Sequence, residues 1–160
     1  MLHPTAQKVA DAARELGLDI TIKEFEETTR TAEDAAKAIG CTVAQIVKSL
    51  LFVVNGQPVM ALVSGPNRLD EGKLAALYGV GKNKVKRADA DIVRAATGFA
   101  IGGVPPFGHA TRLPVYIDQD FWQFEVIWAA AGTPNAVFSI TPAELAQVTG
   151  GVAADLKILM

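Results

Sequence analysis

The stretch Ile46-Val47-Lys48-Ser49-Leu50-Leu51-Phe52-Val53-Val54, with Asn55-Gly56 and the run Pro58-Val59-Met60-Ala61-Leu62-Val63 behind it, decides how this chain reads. Side chains alternate along a strand. Lys48, Leu50, Phe52 and Val54 therefore share one face, and Val47, Ser49, Leu51 and Val53 share the other. A strand that is apolar on both faces belongs inside a covered sheet. Asn-Gly is a strong hairpin turn, so residues 58–63 return antiparallel. Lysine is almost never fully buried without a partner or a task. Lys48 is then either a strand-end residue whose ammonium reaches water over a packed stem, or a functional group.

Helix and strand signals alternate outward from this hairpin, with no linker, repeat or low-complexity segment. Pro4 opens a helix carrying Val9, Ala12, Ala13 and Leu16 at helical spacing, and Gly17 closes it. Residues 19–25 alternate as a strand. Thr31 with Asp34 and Thr42 with Gln45 resemble capping boxes, separated by Gly40. Residues 70–78 predict a helix closed by Gly79, and a short strand follows around Val85. Residues 89–96 are helical, and 113–117, 125–130 and 136–140 are strands. Thr141-Pro142-Ala143-Glu144 caps and starts the last helix. The expectation is one α/β (α+β) domain over residues 1–160, with a mixed, mostly antiparallel, partly closed sheet surrounded by helices.

At 160 residues one domain is the default, and the chain can bury a real core. Half the residues are hydrophobic, yet no apolar run nears the roughly 18 residues of a membrane span. The first residues lack a basic region followed by an apolar stretch, so a signal peptide is not expected and the cytoplasm is. Cys41 is the single cysteine, which excludes an internal disulfide and any multi-cysteine metal site. A net charge of −2 argues against a long nonspecific nucleic-acid groove, and DNA is not an expected partner.

A second element bears on Lys48: the loop Gly102-Gly103-Val104-Pro105-Pro106-Phe107-Gly108. Paired glycines allow close approach and unusual φ values. The prolines fix φ and hold their predecessors extended. Backbone N–H groups that no ladder uses can serve an oxyanion or carbonyl oxygen if they converge. A tight structural turn explains the same residues.

The lysine strand and the Gly-x-x-x-Pro loop (Gly102 to Pro106) occur in order with Ser64-Gly65-Pro66-Asn67-Arg68-Leu69-Asp70, residues 96–103 and Leu113-Pro114-Val115-Tyr116-Ile117-Asp118. Together they resemble the YbaK/ProX family, free-standing aminoacyl-tRNA deacylases similar to the editing insertion domain of bacterial prolyl-tRNA synthetases. The resemblance runs from about Phe25 to the C-terminus. It implies a YbaK-like fold and hydrolysis of a mischarged tRNA, with tRNA-Pro carrying a small non-cognate amino acid as the expected substrate. It also implies no cofactor, no protein nucleophile, and water assisted by the tRNA's terminal ribose hydroxyl. Lys48 would orient the substrate through its ester carbonyl or terminal phosphate. Gly102, Gly103 and Val104 would supply backbone contacts, and Pro105 and Pro106 would hold the loop. Phe25 and Thr31 lie where the family lines its amino-acid pocket, and Ser49, next to Lys48, would contact substrate; His109, directly after the loop, would touch substrate or the terminal adenosine, or is an exposed loop histidine. Cysteine-specific members carry an acid where this chain has Ala136-Val137-Phe138, so Val137 favours an apolar pocket wall. Serine, threonine, alanine, cysteine and 2-aminobutyrate all remain open as the amino acid removed.

Other chemistries find less support. A Ser-His-Asp triad would have only His109 as base, because His3 sits at the terminus. A Ser49–Lys48 dyad fails because strand neighbours point apart. A lone cysteine is usually a packed residue, and no metal-ligand spacing occurs. Lys82, Lys84 and Lys86 alternate as along a strand, with Arg87 adjacent. They would meet acceptor-stem phosphates or protect a solvated sheet edge. Trp122, Phe124 and Trp128 read as core and sheet-face residues. Two rival classes accompany the deacylase: a noncatalytic module binding a tRNA end or prolyl-tRNA synthetase, and a hydrolase of small free esters or amides.

Overall fold

The structure is a computed structural model that describes residues 1–27 and 31–159. Five α-helices and eight strands form among the described residues. The hairpin is as the sequence dictates. β2 (Val47–Val54) and β3 (Gln57–Ser64) pair antiparallel in full register, and Asn55 and Gly56 take the positive φ values (50° and 84°) that such a turn requires. β4 (Val85–Arg87) adds antiparallel to one side of β2. β5 (Val115–Asp118) adds parallel to β3, and β8 (Val152–Ala154) adds parallel to β5. The order is β4-β2-β3-β5-β8.

A second, antiparallel sheet has the order β1-β7-β6, from β1 (Ile22–Glu24), β6 (Ile127–Ala130) and β7 (Ala136–Ile140). One bridge, Ile46 to Trp128, ties it to the start of β2. The single partly closed sheet expected from sequence is thus two sheets joined at one point.

The helices are α1 (Pro4–Glu15), α2 (Ala32–Ile39), α3 (Glu71–Leu77), α4 (Ala90–Thr97) and α5 (Pro142–Thr149). Their caps follow from sequence. Pro4 and Pro142 sit in the first turns, and Thr31, Asp70, Asp89 and Thr141 each accept a backbone N–H of the turn they cap.

The hairpin is apolar on both faces because it separates two cores. Val47, Leu51, Met60 and Leu62 pack with α1, α4, α5 and the second sheet. Phe52, Val54, Val59, Ala61 and Val63 pack under Leu74 and Ala75 of α3. Met60 and Leu62 are fully buried, and truncating either to alanine would cost about 2–5 kcal/mol.

Three other expectations are corrected. Lys82–Lys84 form a 3₁₀ turn, and only Lys86 lies in the edge strand β4, so the three lysines do not alternate along one strand. Trp122 is 43% exposed in another 3₁₀ turn, whereas Phe124 and Trp128 pack against the cores. Residues 125 and 126 precede β6, and residues 113 and 114 precede β5; β8 is a strand that the sequence pattern does not announce. Among the described residues no helix is long and apolar enough to cross a membrane.

Candidate active site

The register of β2 leaves a gap in its sheet. Ala88 N–H donates to the Leu51 carbonyl, and β4 pairs with β2 only from Phe52 onward. Beyond that point, among the described residues, the same edge of β2 is met only by the Ile46–Trp128 bridge. A cleft of about 340 Å³ lies there. Its walls are residues 47–50, the start of α2 from Thr31, the loop residues Ile101, Gly102 and Val104, and the β6–β7 segment from Trp128 to Val137. The lysine strand and the glycine-proline loop, about 50 residues apart in sequence, meet across it.

Lys48 is half-buried, and its Nζ donates to the Asn67 carbonyl at 2.5 Å. Asn67 is itself fastened. Its N–H donates to Ser64 O, and its Nδ2 donates to Asp118 Oδ2 and Asp120 Oδ2, each at 2.8 Å. Asp118 is 1% exposed and also accepts the Ser64 and Asp120 backbone N–H groups. Lys157 Nζ meets Asp120 Oδ2 at 2.8 Å. A carboxylate–amide–carbonyl chain thus holds the ammonium. Burial draws the Lys48 pKa below its ordinary value; nearby Glu33 and Asp118 oppose that, and Arg87 reinforces it. The Lys157 and Asn67 hydrogen bonds hold the Asp120 carboxyl below the usual range.

The loop is anchored rather than free. Residues 103–107 are buried, and the Phe107 ring packs on Phe138 with centroids 5.4 Å apart. Gly102 has φ +96°, in the region that favours glycine. A Cβ on Gly103 would lie 2.7 Å from the Gly132 carbonyl oxygen and 2.9 Å from Thr133 Cα, so glycine alone lets these two backbones meet. Gly103 N–H donates to Ala100 O and is not available to a ligand. The N–H groups of Gly102 and Val104 have no hydrogen-bond partner among the described residues, and both residues line the cleft.

The other predicted residues divide. Thr31 lines the cleft while its Oγ1 accepts the Asp34 N–H. Ser49 lines it with a buried hydroxyl that has no partner among the described residues. Val137, 6% exposed, forms part of its apolar wall. Arg87 lines the mouth, its guanidinium 5.6 Å from the Phe52 ring centre.

Phe25 lies outside the cleft; its N–H and carbonyl are both bonded to Asn135, which pins the end of β1 to the turn before Val137. Pro105 and Pro106 are buried behind the loop. His109 faces a different hollow, lined also by Pro106 and Arg112, with Nε2 2.6 Å from Pro105 O. Burial lowers its pKa, opposed by the Pro105 contact. The sequence placed His109 beside the substrate because it follows the loop; the turn at Gly108, φ +77°, carries it round the back. Lys82, Lys84 and Lys86 are exposed and outside the cleft. Burial raises the half-exposed Cys41 thiol, which does not favour a thiolate, and it too lies outside. Among the described residues no three His, Cys, Asp or Glu side chains gather as metal ligands.

The sequence pattern does not join Asn67, Asp118 and Asp120 to Lys48, as their hydrogen bonds do. Their signal was present in part: a Ser-Gly-Pro-Asn turn at one strand end and two aspartates at another. Only the parallel β3–β5 register brings the two ends together.

The fold coincides with that of a known family. Residues 26–148 match the model of the aminoacyl-tRNA editing domain, and the chain belongs to that family. Among proteins similar to it is protein YwhH of Bacillus subtilis (strain 168), uncharacterised, 35% identical over 127 residues, 79% of each chain. The proline–tRNA ligase of Elusimicrobium minutum (strain Pei191) is 32% identical over 132 residues, 80% of this chain but 22% of that enzyme. The match therefore spans about a fifth of the ligase. A solved structure described as a candidate trans-editing enzyme for prolyl-tRNA synthetase superposes with a TM-score of 0.94 at 47% identity, covering 99% of this chain and 100% of that one.

Proposed function

We propose that the chain is a trans-editing deacylase, acting in the cytoplasm on the acceptor end of mischarged tRNA. The substrate would be tRNA-Pro bearing a small non-cognate amino acid, and prolyl-tRNA synthetase is the expected partner. The whole chain, 1–160, is taken as the editing unit. The observation that carries the reading is the meeting of Lys48, fixed by Asn67, with two unengaged loop N–H groups across one cleft.

An aminoacyl ester is already activated, so positioning and charge stabilisation suffice. The Gly102 and Val104 N–H groups receive the carbonyl oxygen as it becomes an oxyanion. Each such donor is worth about 3–4 kcal/mol in the transition state. Lys48 supplies a cation to the ester carbonyl or the terminal phosphate, and Arg87 at the mouth meets the phosphate backbone. The exposed Lys82, Lys84 and Lys86 extend that charge toward the acceptor stem. Val137, Ala130 and Ala136 make an apolar wall that suits a small side chain. Pockets of this kind separate near-isosteres by only about 1–3 kcal/mol per methylene.

The test is deacylation of tRNA-Pro charged with Pro, Ala, Ser, Thr, Cys or 2-aminobutyrate, by wild type and Lys48→Ala. Turnover of a mischarged species that spares prolyl-tRNA and disappears in the variant supports the reading. No turnover with tRNA binding intact replaces it with a noncatalytic module, and turnover of small esters without tRNA replaces it with a general hydrolase.

A further inference from the structure

We propose that the attacking water is held in a small cavity beside Ser49, with the Ser49 hydroxyl as the group that positions it. The inference rests on the deacylase reading and adds the place from which attack comes. The cavity, of about 30 Å³, adjoins the main cleft and shares Ser49, Arg87, Ile101, Gly102 and Val104 with it; Leu51 and Val93 complete its lining. A single water needs about 10–15 Å³ of accessible space and about two to four polar partners.

The partners are at hand. Ser49 Oγ is buried and has no hydrogen-bond partner among the described residues. Such a group in a native fold calls for a water, an ion or a ligand. The backbone groups of Ser49 are equally unengaged among the described residues. Met60 N–H turns toward β5, so the even-numbered residues of β3 face away from β2. Leu51 turns its carbonyl toward Ala88, and Ser49, two residues earlier, turns its own groups to the same edge, beyond the end of β4. Ser49 therefore offers two acceptors, a hydroxyl on the cavity face and a carbonyl at the strand edge, with its own N–H beside the carbonyl.

Acceptors are what a nucleophilic water needs, because they take its hydrogens and leave a lone pair for attack. The donors at the same place, the Gly102 and Val104 N–H groups, serve the carbonyl oxygen instead. Nucleophile and oxyanion site thus adjoin, as addition to a carbonyl demands. Ser49 is not itself the attacker: Lys48 projects from the opposite face of β2, and among the described residues no histidine lines the cleft, so the hydroxyl lacks a base.

In the step, the water oxygen bonds to the ester carbonyl carbon and the bond from that carbon to the ribose oxygen breaks. One water proton passes, by way of the neighbouring ribose hydroxyl, to the departing ribose oxygen. The other leaves to solvent as the released amino acid ionises. No further reactant is required.

Two measurements on wild type, Ser49→Ala and Ser49→Thr test this. In crystal structures that resolve ordered solvent, wild type should show a water within hydrogen-bond distance of Ser49 Oγ, absent in Ser49→Ala. In deacylation of mischarged tRNA-Pro, Ser49→Ala should lose about 100-fold in kcat with KM within about twofold, and Ser49→Thr should recover most of it. A cavity without water in wild type, or wild-type kcat in Ser49→Ala, overturns the proposal while leaving the deacylase reading intact. A water in place but no turnover of any species by wild type overturns the deacylase reading, and the attacking role of that water with it.

Discussion

Replacing Asp118 by asparagine changes one oxygen into an amide nitrogen and almost nothing in shape, yet it should unsettle both the fold and Lys48. Asp118 Oδ2 accepts from Ser64 N–H and Asn67 Nδ2, and Oδ1 accepts from Asp120 N–H. All three partners are donors. An asparagine has one acceptor oxygen, so whichever way its amide turns, an NH₂ group faces an N–H at about 3 Å. Hydrogen bonds to a charged acceptor are worth about 1.5–3 kcal/mol each, and a buried donor without a partner costs about 1–3 kcal/mol. At 1% exposure water cannot make good the loss. The variant should therefore be destabilised by about 3 kcal/mol.

With a urea m-value of about 2 kcal/mol per molar, the unfolding midpoint should fall by about 1.5 M. The second readout is deacylation well below that midpoint. The turn that presents the Asn67 carbonyl is loosened, so kcat should fall even where the variant is fully folded. A midpoint shift below about 0.5 M would refute the reasoning, since it would mean that the buried carboxylate does not organise the turn. A normal shift with unchanged kcat would refute the link to Lys48 alone.

Two further outcomes follow from the same geometry. Gly103→Ala places a methyl 2.7 Å from the Gly132 oxygen, where only backbone could move, so stability should drop by about 1–3 kcal/mol. Displacing the loop should also abolish deacylation while tRNA binding persists in a filter-binding assay. His109 has a folded pKa below its unfolded value of about 6.5, so the unfolded chain binds the proton more readily. Stability should therefore rise with pH up to about 6.5 and fall as pH drops below it. Thermal unfolding between pH 5 and 7.5 should show that slope, and His109→Gln should flatten it.

Much of this was legible because it is local. The two-faced apolar pattern of residues 46–54, the Asn-Gly turn and the proline-led helices are statements about neighbours in sequence, and they recur in the fold with small shifts at the ends. Lys48, Gly102 and Val104 were legible as a pair of elements. What escaped depends on pairing between distant segments. β8 is three residues of modest strand propensity that exist as a strand because β5 offers an edge. The split into two sheets depends on where β4 stops. The Asp118 network depends on the parallel crossing of β3 and β5, and the fate of His109 depends on which way one glycine turns the chain. Lys82 and Lys84 show the limit of reading period alone: alternation over five residues is also what a 3₁₀ turn running into a short strand produces.

The hairpin that carries Lys48 is also the partition between the two cores. Val59 to Val63 have no measurable exposure, and neither core can open without disturbing this strand pair. Amide hydrogens there should exchange only through global unfolding. The Lys48 ammonium thus rides on the last part of the molecule to loosen on heating. Warming should accelerate turnover without gradual erosion of the site, and activity should then end abruptly, at the temperature where the whole domain melts.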